Sequence, residues 1–317
     1  MPMPPAMMID DRSAVCKAAR DPPAVLTGPD GLVYLGLRTM DKHPVESGIE
    51  GVLRTYELLD RVRTRQDLTI RDDQFEHAVF LDAAAYARRR RIPMSLVDTG
   101  RFSVGELESL ARRGVRICTS DAARPRPEEL EIIVRACRAS RSFLAFLLEA
   151  DWSAGDEAGP WSARVLSDLV ASGMDLHVSN RHRKRGPGVL GELARQAGPG
   201  RGFLVFYHHG PLVAELAELA SLGTWVHFSD RSIPDDDAAA VACGIARAAA
   251  ASGSRAVLTV ERPLAADVLE GLWTAGAVLR FLTPPAEARS SLSAIERKAG
   301  KRKLPARAVY LSGVFLP

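Results

Sequence analysis

Cysteine is scarce and scattered in this chain. Cys16, Cys118, Cys137 and Cys243 form no CxxC pair and no zinc-ribbon spacing, which excludes structural zinc modules and radical cluster chemistry, because both need closely spaced thiolates. The four are expected to be reduced and mostly buried. Lysine is confined to Lys17, Lys42, Lys184, Lys298, Lys301 and Lys303. None lies on a segment that reads as a strand, which argues against a Schiff-base lysine. Aromatic residues make up 6%, too few to favour a sugar-stacking cleft. No apolar run approaches the ~18 residues that a membrane helix needs. The N-terminal "MPMPPAMMIDD" lacks a cationic segment followed by an apolar core, so a cytoplasmic protein is expected. HxH, HExxH and a P-loop are also missing; "GPGVLGE" has spaced glycines opening a helix, a weak indicator by itself.

The 317 residues are 46% hydrophobic and 26% charged, the composition of a globular protein that folds without staples. The length allows one large domain or two ordinary ones. The net charge is only +3, with acidic residues interspersed through most basic stretches, so any polyanion site must be local rather than spread over the whole surface.

A unit recurs in which an Ala- and Leu-rich helix ends in glycine and a short apolar strand follows: "LARRGVRICTSD", "LVASGMDLHVSN", "LASLGTWVHFSD", "AAASGSRAVLTVE" and "LWTAGAVLRFLT". Gly114, Gly173, Gly223, Gly253 and Gly276 sit where a helix needs a left-handed cap. Helices are predicted over 103–113, 127–139, 160–172, 188–197, 211–222, 235–252 and 264–275. Strands are predicted over 33–38, 93–99, 115–120, 142–149, 175–179, 202–208, 224–229, 255–261 and 278–283. Strict alternation implies right-handed crossovers and a parallel sheet, and this many units point to an α/β fold of the (β/α)8, TIM-barrel type. The nine strand candidates exceed its eight places, so the first or the last belongs outside the ring.

Residues 1–30 read as a Pro- and Met-rich lead-in, 31–285 as the barrel, and 286–317 as a basic linker followed by an apolar segment packed on it. The stretch 39–92 reads as an enlarged first connection with helices near 46–65 and 73–91. Its "ARRRR" ending, Arg88 to Arg91, reads as cations opposing a helix dipole.

In such a barrel, chemistry sits at the C-terminal ends of the strands. Within three strands the sequence alternates, with Leu176 and Val178 opposite His177 and Ser179, Val226 and Phe228 opposite His227 and Ser229, and Leu258 and Val260 opposite Thr259 and Glu261. Apolar residues should face the helices and polar ones the axis. Arg116 and Arg280 fall on polar faces in the same way. Five of the seven histidines, His177, His182, His208, His209 and His227, lie on or just after three consecutive strands.

The candidate catalytic residues are His177, His227, Glu149 and Glu261, for proton transfer or ligation. The candidate substrate-binding residues are Arg38, Arg181, His182, His208, His209 and Arg262, whose forked or ring N–H groups suit carboxylate or phosphate. A divalent zinc, manganese or iron ion on Asp98, His177, His227 and Asp230 would match the preferences of those metals for nitrogen and carboxylate ligands. The aspartates that close strand segments, Asp98 after Val97 and Asp121, Asp151 and Asp230 after Ser or Ala, also read as turn and N-cap residues.

The expected function is therefore that of an enzyme acting on a small anionic molecule at the barrel mouth, by metal-assisted hydrolysis or lyase chemistry. The alternatives are a nucleic-acid-binding or RNA-processing barrel that uses "RHRKRG", "ARRRR" and "KAGKRK", or a scaffold without catalysis. No membrane partner is expected.

Overall fold

The structure, a computed structural model, describes residues 26–27, 33–34, 58, 68–152, 160–181, 186–197, 202–262 and 264–281. Helix starts and stops in this chain follow side-chain chemistry. Ser103 and Glu106 form a reciprocal capping box, Ser162 and Asp235 accept from first-turn amides, and Pro127 opens its helix at a position where no amide is needed. All five predicted glycine caps are left-handed, with φ from 78° at Gly253 to 113° at Gly173.

The resulting elements alternate: β1 Leu68–Arg71, α1 His77–Arg90, β2 Met94–Val97, α2 Val104–Arg112, β3 Arg116–Ser120, α3 Pro127–Ser140, β4 Leu144–Leu148, α4 Ala163–Ser172, β5 Met174–Ser179, α5 Pro187–Ala197, β6 Leu204–Tyr207, α6 Glu215–Ser221, β7 Trp225–Ser229, α7 Asp236–Ser252, β8 Ala256–Val260, α8 Ala266–Ala275 and β9 Val278–Phe281. These are eight successive βα units and a ninth strand. All nine strands are parallel and lie side by side in chain order. The fold is thus of the (β/α)8 barrel class, with no ladder joining β1 to β9 among the described residues.

The strands face two environments. Phe146, Leu176, Val178, Phe206, Val226, Phe228, Leu258 and Val260 pack outward with the helices in one core. Val205, Tyr207 and Trp225 form a separate cluster inside. Phe146 and Phe206 are wholly buried, so truncating either to alanine would cost about 3–5 kcal/mol. No described helix is long and apolar enough to cross a membrane.

One expectation needs correction. The first strand of the sheet is Leu68–Arg71, inside the stretch read as a connection, and it pairs in parallel with β2. The segment predicted at 33–38 contributes Val33–Tyr34, which pairs antiparallel with Leu26–Thr27 in a sheet of its own. The signal misled because "QDLTIRDD" offers only two large apolar residues between charges, whereas "GLVYLGL" offers an uninterrupted run. Of the helix predicted at 46–65, only Leu58 is described, and it is helical.

Candidate active site

Alternation along β5 to β9 brings one polar column to the barrel interior. The Nδ1 of His177 lies 2.9 Å from the Tyr207 hydroxyl, within hydrogen-bond distance. The tyrosine ring stacks on His177 at 5.7 Å and meets His227 at 4.8 Å between ring centroids. All three are buried, and burial acts on each against its charged form. It pushes the Tyr207 hydroxyl up, lowers His177 well below the usual imidazole range, and, with a further contribution from the positive charge of Arg280, lowers His227 to about 3. Burial likewise lowers Arg280. Both imidazoles are therefore neutral at neutral pH. The Nδ1 of His227 is buried and has no hydrogen-bond partner.

Above this column, at the C-terminal ends of β5 to β8, lies a cavity of about 320 Å³. Tyr207, His227 and Thr259 form its buried part, and Ser229, Glu261, Arg181, His208, His209 and Arg231 surround them. Arg231 forms an ion pair with Glu261, Nη2 to Oε2 at 2.9 Å. His208 is pinned at both ring nitrogens: Nε2 lies 2.9 Å from the Pro211 carbonyl and Nδ1 lies 3.3 Å from the Asn180 side-chain amide. A carbonyl only accepts, so Nε2 carries the proton and Nδ1 accepts. The Asn180 side-chain amide also donates to the His209 carbonyl, and its oxygen accepts from the His209 amide at 2.6 Å. Asn180 thus fixes the loop that carries both histidines.

Of the residues predicted from sequence, the cavity gathers His227, Glu261, Arg181, His208 and His209. His177 lies beside Tyr207 but is not part of the cavity lining. Glu149 is at the end of β4, where its amide donates to Asp121. Arg262 turns to Asp230, with Nε 3.6 Å from the carboxylate. Arg38 and His182 lie outside the described residues, as do the rest of the "RHRKR" run beyond Arg181 and the C-terminal basic cluster.

The four expected metal ligands do not form a set. Asp98 accepts two hydrogen bonds from Arg124, at 2.7 and 2.8 Å, and one from Thr119 at 2.7 Å. Asp230 accepts the amides of Glu261 and Arg262 at 3.3 and 2.6 Å. Among the described residues no three His, Cys, Asp or Glu side chains are grouped so as to hold a metal ion. Two of the four carboxylate and imidazole positions are committed to the fold because each closes a strand end.

Those commitments repeat. Asp72, Asp121, Asn180 and Asp230 each directly follow an odd-numbered strand, and each accepts main-chain amides from the segment that ends the next strand: Arg101, Glu149 with Ala150, His209, and Glu261 with Arg262. The turn role read for the "SD" endings therefore takes the form of a clasp between neighbouring strands.

Tyr207 and Arg231 were missed. "FLVFY" is apolar at every position, so alternation gave no phase for β6. Parallel pairing beside His177 and His227 supplies it. Arg231 stands one residue beyond an "SD" ending, and that position was the only signal for it.

No family model and no curated protein matches the chain. Among solved structures, it is similar to 3-dehydroquinate dehydratase from Geobacillus kaustophilus HTA426 (14% identity, 74% of this chain and 91% of that one, TM-score 0.31). It is also similar to deoxyribose phosphate aldolase from Aeropyrum pernix (13%, 79% and 99%, 0.31). A third is a xylose isomerase domain protein from Planctomyces limnophilus (12%, 74% and 96%, 0.32). Scores this low carry neither fold nor activity from those proteins to this one.

Proposed function

We propose that the cavity at the ends of β5 to β8 is the active site of an enzyme that binds a small carboxylate- or phosphate-bearing molecule and moves a proton on it, in lyase-type chemistry. The observation that carries this reading is the meeting of Arg181, Arg231, Glu261 and His227 on one cavity. Its volume is that of a small-molecule site, which favours a metabolite over a nucleic acid.

In this reading the two guanidiniums hold the anionic group by forked hydrogen bonds. Arg231, which is paired with Glu261 in the free protein, transfers to the incoming anion, and the carboxylate is released as general base. His227 is neutral because it is buried, and a neutral imidazole donates its N–H to the oxygen on which negative charge develops, without first losing a proton. Thr259 and Ser229 supply further hydroxyl contacts. His208, held at both ring nitrogens, shapes the wall.

The test is solvent deuterium incorporation, followed by NMR, across a panel of small 2-oxo and 3-hydroxy carboxylates and sugar phosphates. The protein should exchange a carbon-bound proton on at least one of them. Glu261→Gln should lower that rate by ~10²-fold or more, and Arg231→Gln should raise KM roughly tenfold. Exchange that survives Glu261→Gln, or no exchange and no turnover on any member of the panel, would sink the reading.

A further inference from the structure

At the opposite end of the strands, where a (β/α)8 barrel ordinarily keeps residues for stability, a second concavity of about 350 Å³ opens beside the starts of β2, β3 and β4. Arg88, Arg91, Arg113, Arg116 and Arg141 line it, with Ser140 and Ser142 between them. No carboxylate is among its described lining residues. Among the described residues, Arg88, Arg91, Arg113 and Arg141 have no carboxylate within ion-pair distance. Elsewhere Arg71, Arg101, Arg112, Arg124, Arg126 and Arg231 each hold a carboxylate.

Helix-dipole compensation explains part of this cluster. Arg88 donates to the Arg112 carbonyl at 3.0 Å and Arg113 to the Ser109 carbonyl at 3.2 Å, which is ordinary work at a helix C-terminus. It does not explain Arg91 and Arg141. Both occupy the left-handed position that ends a helix, at φ 57° and 61°, where α2, α4, α6, α7 and α8 are followed by glycine. They are the only non-glycine residues with positive φ among the described residues. That conformation is unfavourable for a side chain with a Cβ, and both exceptions border the same cavity. Arginine at these two positions adds two guanidiniums to one concave surface, in a backbone conformation that glycine would adopt more easily.

We propose that this basal concavity is a binding site for an oligophosphate, either inorganic or the phosphate tail of a nucleotide, separate from the mouth. Several forked donors around a single small cavity match closely spaced phosphates. An extended nucleic-acid strand would call instead for a longer basic groove with exposed aromatic platforms, and the one aromatic ring here, Phe143, is buried with Arg116 over it at 5.4 Å.

The experiment is calorimetric titration of the full chain with inorganic pyrophosphate, ADP and inorganic phosphate at low and high salt, with poly(U) as competitor. Pyrophosphate should bind saturably at a single site, more weakly at high salt, and more tightly than phosphate; comparable ADP binding identifies a nucleotide tail as an acceptable source. The double variant Arg91→Gly, Arg141→Gly should lose roughly tenfold or more in affinity per arginine while its Tm stays the same or rises, because glycine suits both backbone positions. Arg231→Gln at the mouth should leave pyrophosphate binding intact. The proposal is overturned by an absence of pyrophosphate binding at low salt, by binding that the double glycine variant leaves unchanged, by binding that Arg231→Gln abolishes, or by poly(U) displacing pyrophosphate at equal phosphate concentration.

Discussion

The hydroxyl of Tyr207 lies 2.9 Å from Nδ1 of His177, between two adjacent strands and out of reach of solvent. The pair links a buried imidazole outside the mouth cavity to a ring that lines it, so the geometry around His227 rests on residues that a substrate need not touch. Tyr207→Phe keeps the ring and removes the oxygen. It should lower unfolding free energy by about 1–3 kcal/mol, read by urea denaturation, with the larger loss of about 3–5 kcal/mol kept for Tyr207→Ala. Equal stability of Tyr207→Phe and the parent protein would show that the hydrogen bond does not matter.

Stability should fall as the solution is acidified from neutrality. His227 is lowered to about 3 and His177 is lowered in the same direction, chiefly by burial. An unfolded chain, with imidazoles near 6.5, then binds more protons than the folded one below that pH. The contribution is complete above pH ~6.5 and is lost as pH falls from there, at about 1.4 kcal/mol per pH unit for each histidine. His227→Gln should remove one proton's worth of that slope in denaturation curves between pH 7 and 5. An unchanged slope would mean that His227 is charged in the fold.

Asp98 should behave as a structural anion. Its carboxylate is enclosed with the side chain of Arg124 and bonded to it twice. Arg124→Met should therefore cost about 3–5 kcal/mol by stranding a buried charge, and adding Asp98→Leu should recover much of the loss. Failure of the second change to rescue the first would point to another role for Asp98.

Asp230 holds the amides of Glu261 and Arg262, and so places Glu261. Asp230→Ala should lower kcat of the proposed proton transfer more than it changes KM, and should cost about 1–3 kcal/mol of stability. Asp230→Asn, which keeps an acceptor oxygen, should cost less. A kcat unaffected by Asp230→Ala would separate the clasp from the site.

How much of this was legible in the chain depends on where alternation survives. β5, β7 and β8 mix polar and apolar residues, so the inward positions of His177, His227, Thr259 and Glu261 could be read directly. β6 is apolar throughout and hid Tyr207. β1 carries too little apolar surface to stand out, because at the edge of the sheet it pairs with one neighbour only. The dispersal of Asp98, Asp230 and the two histidines could not be read at all. An aspartate after a strand looks the same in sequence whether it faces a ligand or the amides of the next strand.

The clasps at Asp72, Asp121, Asn180 and Asp230 give the barrel a beat of two strands. Each odd strand is tied at its upper end to the even strand that follows, by a side chain that accepts that neighbour's main-chain amides, whereas Asp98, after β2, bonds to side chains and to its own loop. The natural unit of exchange is therefore a βαβα quarter. Chimeras with another barrel, or a relocated pair of chain ends, should be tolerated best at the seams between quarters, in the helical layers α2, α4 and α6, and worst inside one.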